Sequence, residues 1–314
     1  MNPLALLFGT GARTRNALYD RGFLKPRRLQ GPVVSIGNLS VGGTGKTPFI
    51  IVLGELLKQR GIKFDVLSRG YGRQSKGVRI VDPAGTAREF GDEPLLISRR
   101  LGVPMIVGED RYQAGIAAEK AFGPQLHLLD DGFQHRALAR DFDIVLVTPE
   151  DATDRLLPAG RLREPLSSLK RADAVVLSWG ATPEALPVQA KLVWQIRRGI
   201  FVKDIPEKPI AFCGIAHPKK FLLQLKLAGI ELVGEALFRD HHPYTQDDVQ
   251  QLLKMRAESE AGGFVTTEKD AINLEDNLKL LDPVAVIPVK MELVNGADAV
   301  DTILRTIEER RRPS

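Results

Sequence analysis

One cysteine, Cys213, stands in 314 residues, so no intrachain disulfide can form and small stapled scaffolds are excluded. It lies in the apolar run Ile210-Ala-Phe-Cys-Gly214, where a thiol reads as a small buried hydrophobe and not as a nucleophile. No run of 18 consecutive apolar residues occurs, so no helix is expected to span a bilayer on its own. The stretch Leu4–Phe8 is too short for a secretion-signal core, and its positive charges follow it instead of preceding it. A reducing cytoplasmic setting is the expectation. Repeats and low-complexity segments are also missing, and with 43% hydrophobic and 26% charged residues long disorder, coiled coil and collagen are excluded. Acidic residues are scarce in one place only. Residues 1–30 carry Arg13, Arg15, Arg21, Lys25, Arg27 and Arg28 against Asp20, which accounts for the whole formal charge of +5. A basic segment at one end argues against a nucleic-acid surface and for an anionic membrane surface or a local anionic ligand.

Short β-rich runs alternate with longer helix-compatible ones. Pro32–Ile36, Phe64–Leu67, Pro104–Val107, Leu126–Leu129, Ile144–Val147 and Ala174–Leu177 read as strands buried on both faces, which predicts a parallel sheet with helical crossovers. Thr47–Arg60, with apolar residues at helical spacing, and the Ala-rich Arg111–Phe122 are the expected crossovers. After the Pro-containing stretch 182–187, the alternation over Ala190–Val202 predicts an antiparallel two-stranded ribbon at a domain boundary. A second, smaller α/β block follows, with strands near Pro209–Cys213, Ile230–Phe238, Phe264–Thr267 and Val284–Val289. The expected organisation is residues 1–187 as an N-terminal helix plus core domain, 188–207 as ribbon, and 208–314 as the smaller domain, its last helix packing back on the first.

The strand Val33–Ile36 runs into Gly37-Asn-Leu-Ser-Val-Gly42-Gly43-Thr44-Gly45-Lys46-Thr47-Pro48, and an amphipathic helix follows at once. That context suits a nucleotide phosphate loop. Its glycines, Thr44 and the helix N-terminus present N–H groups to phosphate, Lys46 reaches the β- and γ-phosphates, and the Thr47 hydroxyl ligates Mg²⁺. Ser40 occupies the position where the first glycine of the usual pattern belongs, and Val41 stands where switch ATPases of the partition type carry a second lysine. A second motif, Leu126-His-Leu-Leu-Asp130-Asp131, delivers carboxylates at a strand end, as phosphate-loop folds do to hold the metal. His127 inside the strand reads as a packing residue. Ser68–Arg73, Gly91–Pro94, Glu109–Arg111 and Leu157–Pro165 read as strand-end loops, where phosphate-holding arginines such as Arg73, Arg111 or Arg163 and a general base are expected. His241 and His242 read as an acid–base or orienting pair and not as metal ligands.

Taken in order, Gly-Gly-Thr-Gly-Lys-Thr-Pro, Ser-Arg-Gly-Tyr-Gly-Arg, Gly-Asp-Glu-Pro, Asp-Asp-Gly-Phe-Gln-His, Leu-Pro-Ala-Gly-Arg-Leu-Arg-Glu-Pro, Asp-His-His and Thr-Glu-Lys-Asp-Ala resemble the tetraacyldisaccharide 4′-kinase family of Gram-negative bacteria along nearly the whole chain. The resemblance implies a P-loop core with a smaller α/β domain joined by a two-stranded ribbon. It implies transfer of the ATP γ-phosphoryl group to the 4′-hydroxyl of a tetraacylated glucosamine disaccharide 1-phosphate, at the cytoplasmic face of the inner membrane. Carried onto matching positions, Lys46 and Thr47 bind phosphates and Mg²⁺, with Asp130, Asp131 and Glu164 completing the metal surroundings. Asp92 is the base, paired with His241 on motif register alone. Arg111, Gln134, His135 and Arg163 line the site, with Arg73, Gln134 and His135 toward substrate. Rival readings are a P-loop kinase for a soluble small molecule, disfavoured by the basic-apolar N-terminus, and a nucleotide-switch ATPase, disfavoured by Val41. The N-terminal helix, with Leu4, Leu7, Phe8, Leu18 and Tyr19 on one face and Arg13, Asn16 and Arg21 off its centre, is expected to dock on the membrane, with Gly9 and Gly11 as a possible break.

Overall fold

The structure is a computed structural model that describes residues 3–181, 186 and 192–312, with the side chains of 3–8, 12 and 13 outside that description. The chain opens with helix α1 (Pro3–Asp20), unbroken at Gly9 and Gly11. Strand β1 (Val33–Asn38) follows, then α2 (Lys46–Gln59), β2 (Phe64–Ser68), the two-residue β3 (Arg79–Ile80), α3 (Ala87–Phe90), α4 (Asp92–Leu101) and β4 (Met105–Val107). Next come α5 (Arg111–Phe122), β5 (Leu126–Asp130), β6 (Phe142–Leu146), β7 (Ala174–Ser178) and β8 (Leu192–Ile200). The remainder is β9 (Ile210–Cys213), α6 (Pro218–Leu227), β10 (Gly234–Leu237), α7 (Gln246–Glu258), β11 (Phe264–Thr267), α8 (Glu268–Leu274), β12 (Val284–Ile287), β13 (Val289–Leu293) and α9 (Gly296–Arg311).

Two sheets result. The larger has the order β13-β8-β7-β6-β1-β5-β2-β4-β3 and the smaller the order β10-β9-β11-β12. The six strands expected from the short β-rich runs all form and pair in parallel around β1, which lies between β5 and β6. Burial on both faces explains why those runs do not alternate. The smaller sheet is parallel throughout.

An antiparallel two-stranded ribbon forms, but its second strand lies outside 188–207. Within 188–207 only one strand is described, β8, and its antiparallel partner is β13, after the smaller unit, with Ile200 opposite Val289 and Ile196 opposite Leu293. The ribbon also does not stand apart, because β8 extends the large sheet in parallel beside β7. An alternating strand declares its two faces but not its edge partner, so the sequence could not reveal that the second strand of the ribbon lies beyond the smaller unit. The expected stretch at 182–187 lies outside the described residues except Leu186. Helix α9 returns to pack Ala299, Val300, Ile303 and Ile307 into the core of the large sheet.

Candidate nucleotide and phosphoryl-transfer site

The two sheets face one another across a cleft of about 1420 Å³ at the carboxyl ends of the large sheet's strands. Its floor is the turn between β1 and α2. Gly42 and Gly45 take φ of 104° and 92° there, values closed to most side chains. Gly45 is the N-cap of α2 and supplies no side-chain cap, so the helix's first N–H groups are free for an anion. A glycine in place of a capping side chain costs a few tenths of a kcal/mol. Burial of Phe49, Ile50, Leu53 and Leu57 on α2, at about 2 kcal/mol each, offsets that cost several-fold. The loop therefore keeps its donors open because packing, not capping, holds the helix.

Lys46 Nζ lies 3.1 Å from Asn38 Oδ1 and 3.4 Å from Asp131 Oδ1. Arg163 donates to both Asp131 oxygens at 2.7 and 2.8 Å and also reaches Asn38 Oδ1. Asp131 adopts φ of 50°, an unusual backbone for a non-glycine residue and one that clusters at functional sites. Burial alone would raise its carboxyl, yet Arg163 and Lys46 hold it far below the usual carboxylate range. Asp130 behaves oppositely. It is buried at the end of β5, takes one hydrogen bond at 2.8 Å from Ser68 Oγ, and leaves Oδ1 without a partner. Burial, with the charges of Glu93 and Asp131, pushes it up to about 6.

A metal ion fits there. An orphaned, buried carboxylate oxygen of raised pKa, with the buried Thr47 lining the same cleft, is a hard, oxygen-only donor set of the kind Mg²⁺ prefers. Asp131 lines the cleft but already serves as counter-ion to two cations. Glu164 departs from expectation. It is fully buried, accepts from Arg171 at 2.9 and 3.3 Å and from Asn16 at 2.6 Å, and does not line the cleft. Its work is to hold α1 and the segment around Arg171 to the body, so it is not part of the metal group in this structure.

Across the cleft, His241 Nδ1 lies 2.8 Å from Asp92 Oδ2, which joins the large sheet's unit to the smaller one and selects His241 over its neighbour. His242 instead pairs with Asp248 at 2.9 Å. Asp92 does not lie in a loop, as the sequence suggested, but opens α4 directly after Gly91. Gly91 takes φ of 91°, and a Cβ there would come within 2.9 Å of the Tyr71 carbonyl oxygen. Burial favours the neutral acid, but the hydrogen bond from His241 and the charge of Lys269 prevail and lower the Asp92 carboxyl. His241 is raised by the hydrogen bond to Asp92, against burial. Only His241 of the two lines the cleft, while Asp92 lies behind it at 4% exposure. Lys269, unmentioned as a site residue by the sequence, also reaches this corner and pairs with Glu93. The Thr-Glu-Lys-Asp run carried the only signal for it.

Arg111 is buried at the start of α5, donates at 3.0 Å to the Glu109 carbonyl and lines the cleft. Burial lowers its guanidinium, with Asp130 and Asp131 opposing that. Gln134 donates at 2.9 Å to the Asn38 carbonyl, and His135 is pushed down to about 4 by burial and by Arg111. Both sit behind the cleft lining, each with one buried polar atom unpartnered. Arg73 departs further. Its guanidinium is buried against the Gly77 carbonyl at 2.8 Å and Glu109 at 2.6 Å, bracing its own loop instead of facing the cleft. Cys213 is fully buried with its thiol pushed up to about 12 by burial, as an inert packing residue should be.

A family model described as tetraacyldisaccharide-1-P 4′-kinase matches residues 1–308. A tetraacyldisaccharide 4′-kinase of Koribacter versatilis is 51% identical, covering 99% of this chain and 100% of that one. One from Chlorobaculum parvum is 37% identical over 98% and 94%. Among solved structures, the "apo" form of LpxK from Aquifex aeolicus in complex with ATP superposes with a TM-score of 0.79 at 34% identity, covering 97% of both chains. With the phosphate loop, the strand-end carboxylates and the paired aspartate and histidine set in one cleft, and with relatives matched end to end, this chain belongs to the tetraacyldisaccharide 4′-kinase family.

Proposed function

We propose that the protein transfers the γ-phosphoryl group of ATP to the 4′-hydroxyl of a tetraacylated glucosamine disaccharide 1-phosphate. The observation that carries this reading is the Asp92–His241 pair, set across one cleft from Lys46 and the phosphate loop. A nucleotide switch has no use for an acid–base pair contributed by a second unit, whereas an alcohol acceptor requires its proton to be taken as the bond to phosphorus forms. Lys46, Thr47, the loop N–H groups and Arg163 would hold the phosphates, and Thr47 with Asp130 would hold Mg²⁺. When bound, that ion neutralises charge on the β- and γ-phosphates.

Because His241 stands between Asp92 and the cleft, the acceptor hydroxyl would meet the imidazole first. Asp92, accepting from Nδ1–H, fixes the tautomer that leaves Nε2 free to take the proton and stabilises the imidazolium that forms. The sequence reading gave the base role to Asp92 itself. We infer instead that the carboxylate acts through the histidine, because His241 and not Asp92 lines the cleft. The acceptor carries acyl chains, so the enzyme must work at a membrane surface, and no helix of the described residues is long and apolar enough to cross one. We infer peripheral attachment at the cytoplasmic face of the inner membrane through α1. Leu18, Phe23 and Leu24 are exposed beside Arg21 and Lys25 at its end, while the side chains of Leu4, Leu7, Phe8 and Arg13 lie outside the described residues. Asn16, read as lying off the apolar face, anchors the helix to Glu164.

The test is transfer of label from γ-labelled ATP to a tetraacylated disaccharide 1-phosphate in mixed micelles with Mg²⁺. Label appearing in the lipid is expected, and release of inorganic phosphate alone would overturn the reading.

A further inference from the structure

Arg198 lies where the ribbon passes the phosphate loop. A Cβ placed on Gly45 would come within 3.0 Å of the Arg198 Cζ and Nη1 and 3.1 Å of Nη2, so the guanidinium rests directly on the loop. The residue belongs to β8 and faces Met291 across the ribbon. It lines the main cleft and also a second cavity of about 230 Å³, and Gly42–Thr44 border both. Among the described residues its side chain has no ion pair and no hydrogen bond. Its cationic neighbours differ in this respect: Lys46 and Arg163 share Asp131, Arg161 reaches Asp154 and Lys220 reaches Glu150.

A guanidinium held against a phosphate loop without a counter-ion is an anion site in waiting. Lys46 and Arg163 are already partly compensated by Asp131, so a polyphosphate arriving at the loop needs a further cation. A planar guanidinium matches two phosphate oxygens at once. We propose that Arg198 is a nucleotide-phosphate-binding residue, donating to non-bridging oxygens of the phosphate chain that lies along Gly45–Thr47. The proposal rests on the nucleotide reading of the loop and adds to it a contact supplied by the ribbon, outside every motif of the loop itself.

Calorimetric titration with ADP and, separately, with inorganic tripolyphosphate, both with Mg²⁺ at fixed ionic strength, tests this on the full chain. Arg198→Gln should weaken both ligands about tenfold or more, the scale of a charge-assisted hydrogen bond. Arg198→Lys should recover part of that loss, because it keeps the charge without the fork. ADP affinity within twofold of wild type in Arg198→Gln overturns the assignment. So does weakened ADP binding with unchanged tripolyphosphate binding, which would place the contact on the nucleoside. Lys46→Ala is the control for the underlying reading: ADP bound as tightly by Lys46→Ala as by wild type would show that the loop is not the nucleotide site. Should Arg198→Gln fail to fold by its thermal transition, Arg198→Lys carries the same comparison, with a smaller loss of both ligands expected and an unchanged affinity overturning the proposal.

Discussion

At the scale of single residues, the Asp92–His241 pair makes a claim that a pH profile can test. His241 acts as a base only when neutral, and its pKa is raised above the ordinary imidazole value of 6.5 by its bond to Asp92. The rate should therefore rise with pH through a limb lying above 6.5, not through one in the carboxylate range. Asp92→Asn should lower kcat strongly and move that limb downward, since removing the carboxylate charge lowers the histidine's pKa. A limb left in place by Asp92→Asn would assign it to another group. Because the two act as a unit, Asp92→Ala combined with His241→Ala should be scarcely slower than either alone, with KM for ATP little changed, whereas additive losses would separate them. Lys46→Ala is expected to cost about a thousandfold or more in kcat, as positioning and electrostatics supply nearly all of phosphoryl-transfer catalysis. More than about a tenth of wild-type turnover would contradict that.

At the scale of elements, β2, β5 and α5 meet at His127, whose Nδ1 lies 2.7 Å from Asp65 and Nε2 3.4 Å from Glu119, with no exposed surface on the ring. Burial favours neutral imidazole, but the two carboxylates prevail and raise its pKa. A raised pKa means stability that is complete below the unfolded-state value near 6.5 and is lost as pH rises through the folded-state value. The thermal midpoint should thus decline on the alkaline side, and His127→Gln should flatten that decline while lowering the midpoint at pH 6. Helix α1 offers a different test. Removal of residues 1–22 should abolish binding to anionic liposomes at low salt, and unchanged binding would mean that the helix serves only to pack on the body. How far these elements were legible follows from what they pack against. The six core strands are mostly apolar and buried on both faces and announce themselves, as does the loop with glycines and Lys-Thr in register. His127 was rightly read as a packing residue, but its two carboxylate partners come from a different strand and a helix, and nothing local reveals them. Arg73 and Glu164 were misplaced for a related reason: a motif fixes that a charged residue is needed, and only the fold decides whether it faces ligand or braces a loop.

At the scale of the whole molecule, the smaller unit is held by few polar contacts. His241 with Asp92, Lys269 with Glu93, Arg100 with Glu268, and Asn273 with Asp92 at 3.4 Å lie along α4. The two hydrophobic clusters of the smaller sheet are largely its own, although Ile272 of α8 enters the core of the large one. Ile200 and Val289 lie opposite one another in the ribbon, so replacing residues 201–288 with a short turn should close β8 and β13 as an ordinary hairpin. The shortened protein is expected to remain folded and to bind ADP through its phosphate loop while transferring no phosphoryl group, since His241 is gone. An aggregated product would show that the smaller unit is needed for the core itself.

The same ribbon dictates an order of assembly. Strand β13 completes the edge of the large sheet, and it packs, with α9, against α2. All of this arrives only after the smaller unit has been made. During synthesis, a ribosome that has released everything up to β8 has produced the phosphate loop and its helix with part of their cover still unmade, and must then produce the entire inserted unit before that cover exists. A chain stalled or cleaved before residue 289 would therefore leave the outer edge of β8 and the outer side of α2 bare, a natural target for chaperones and proteases.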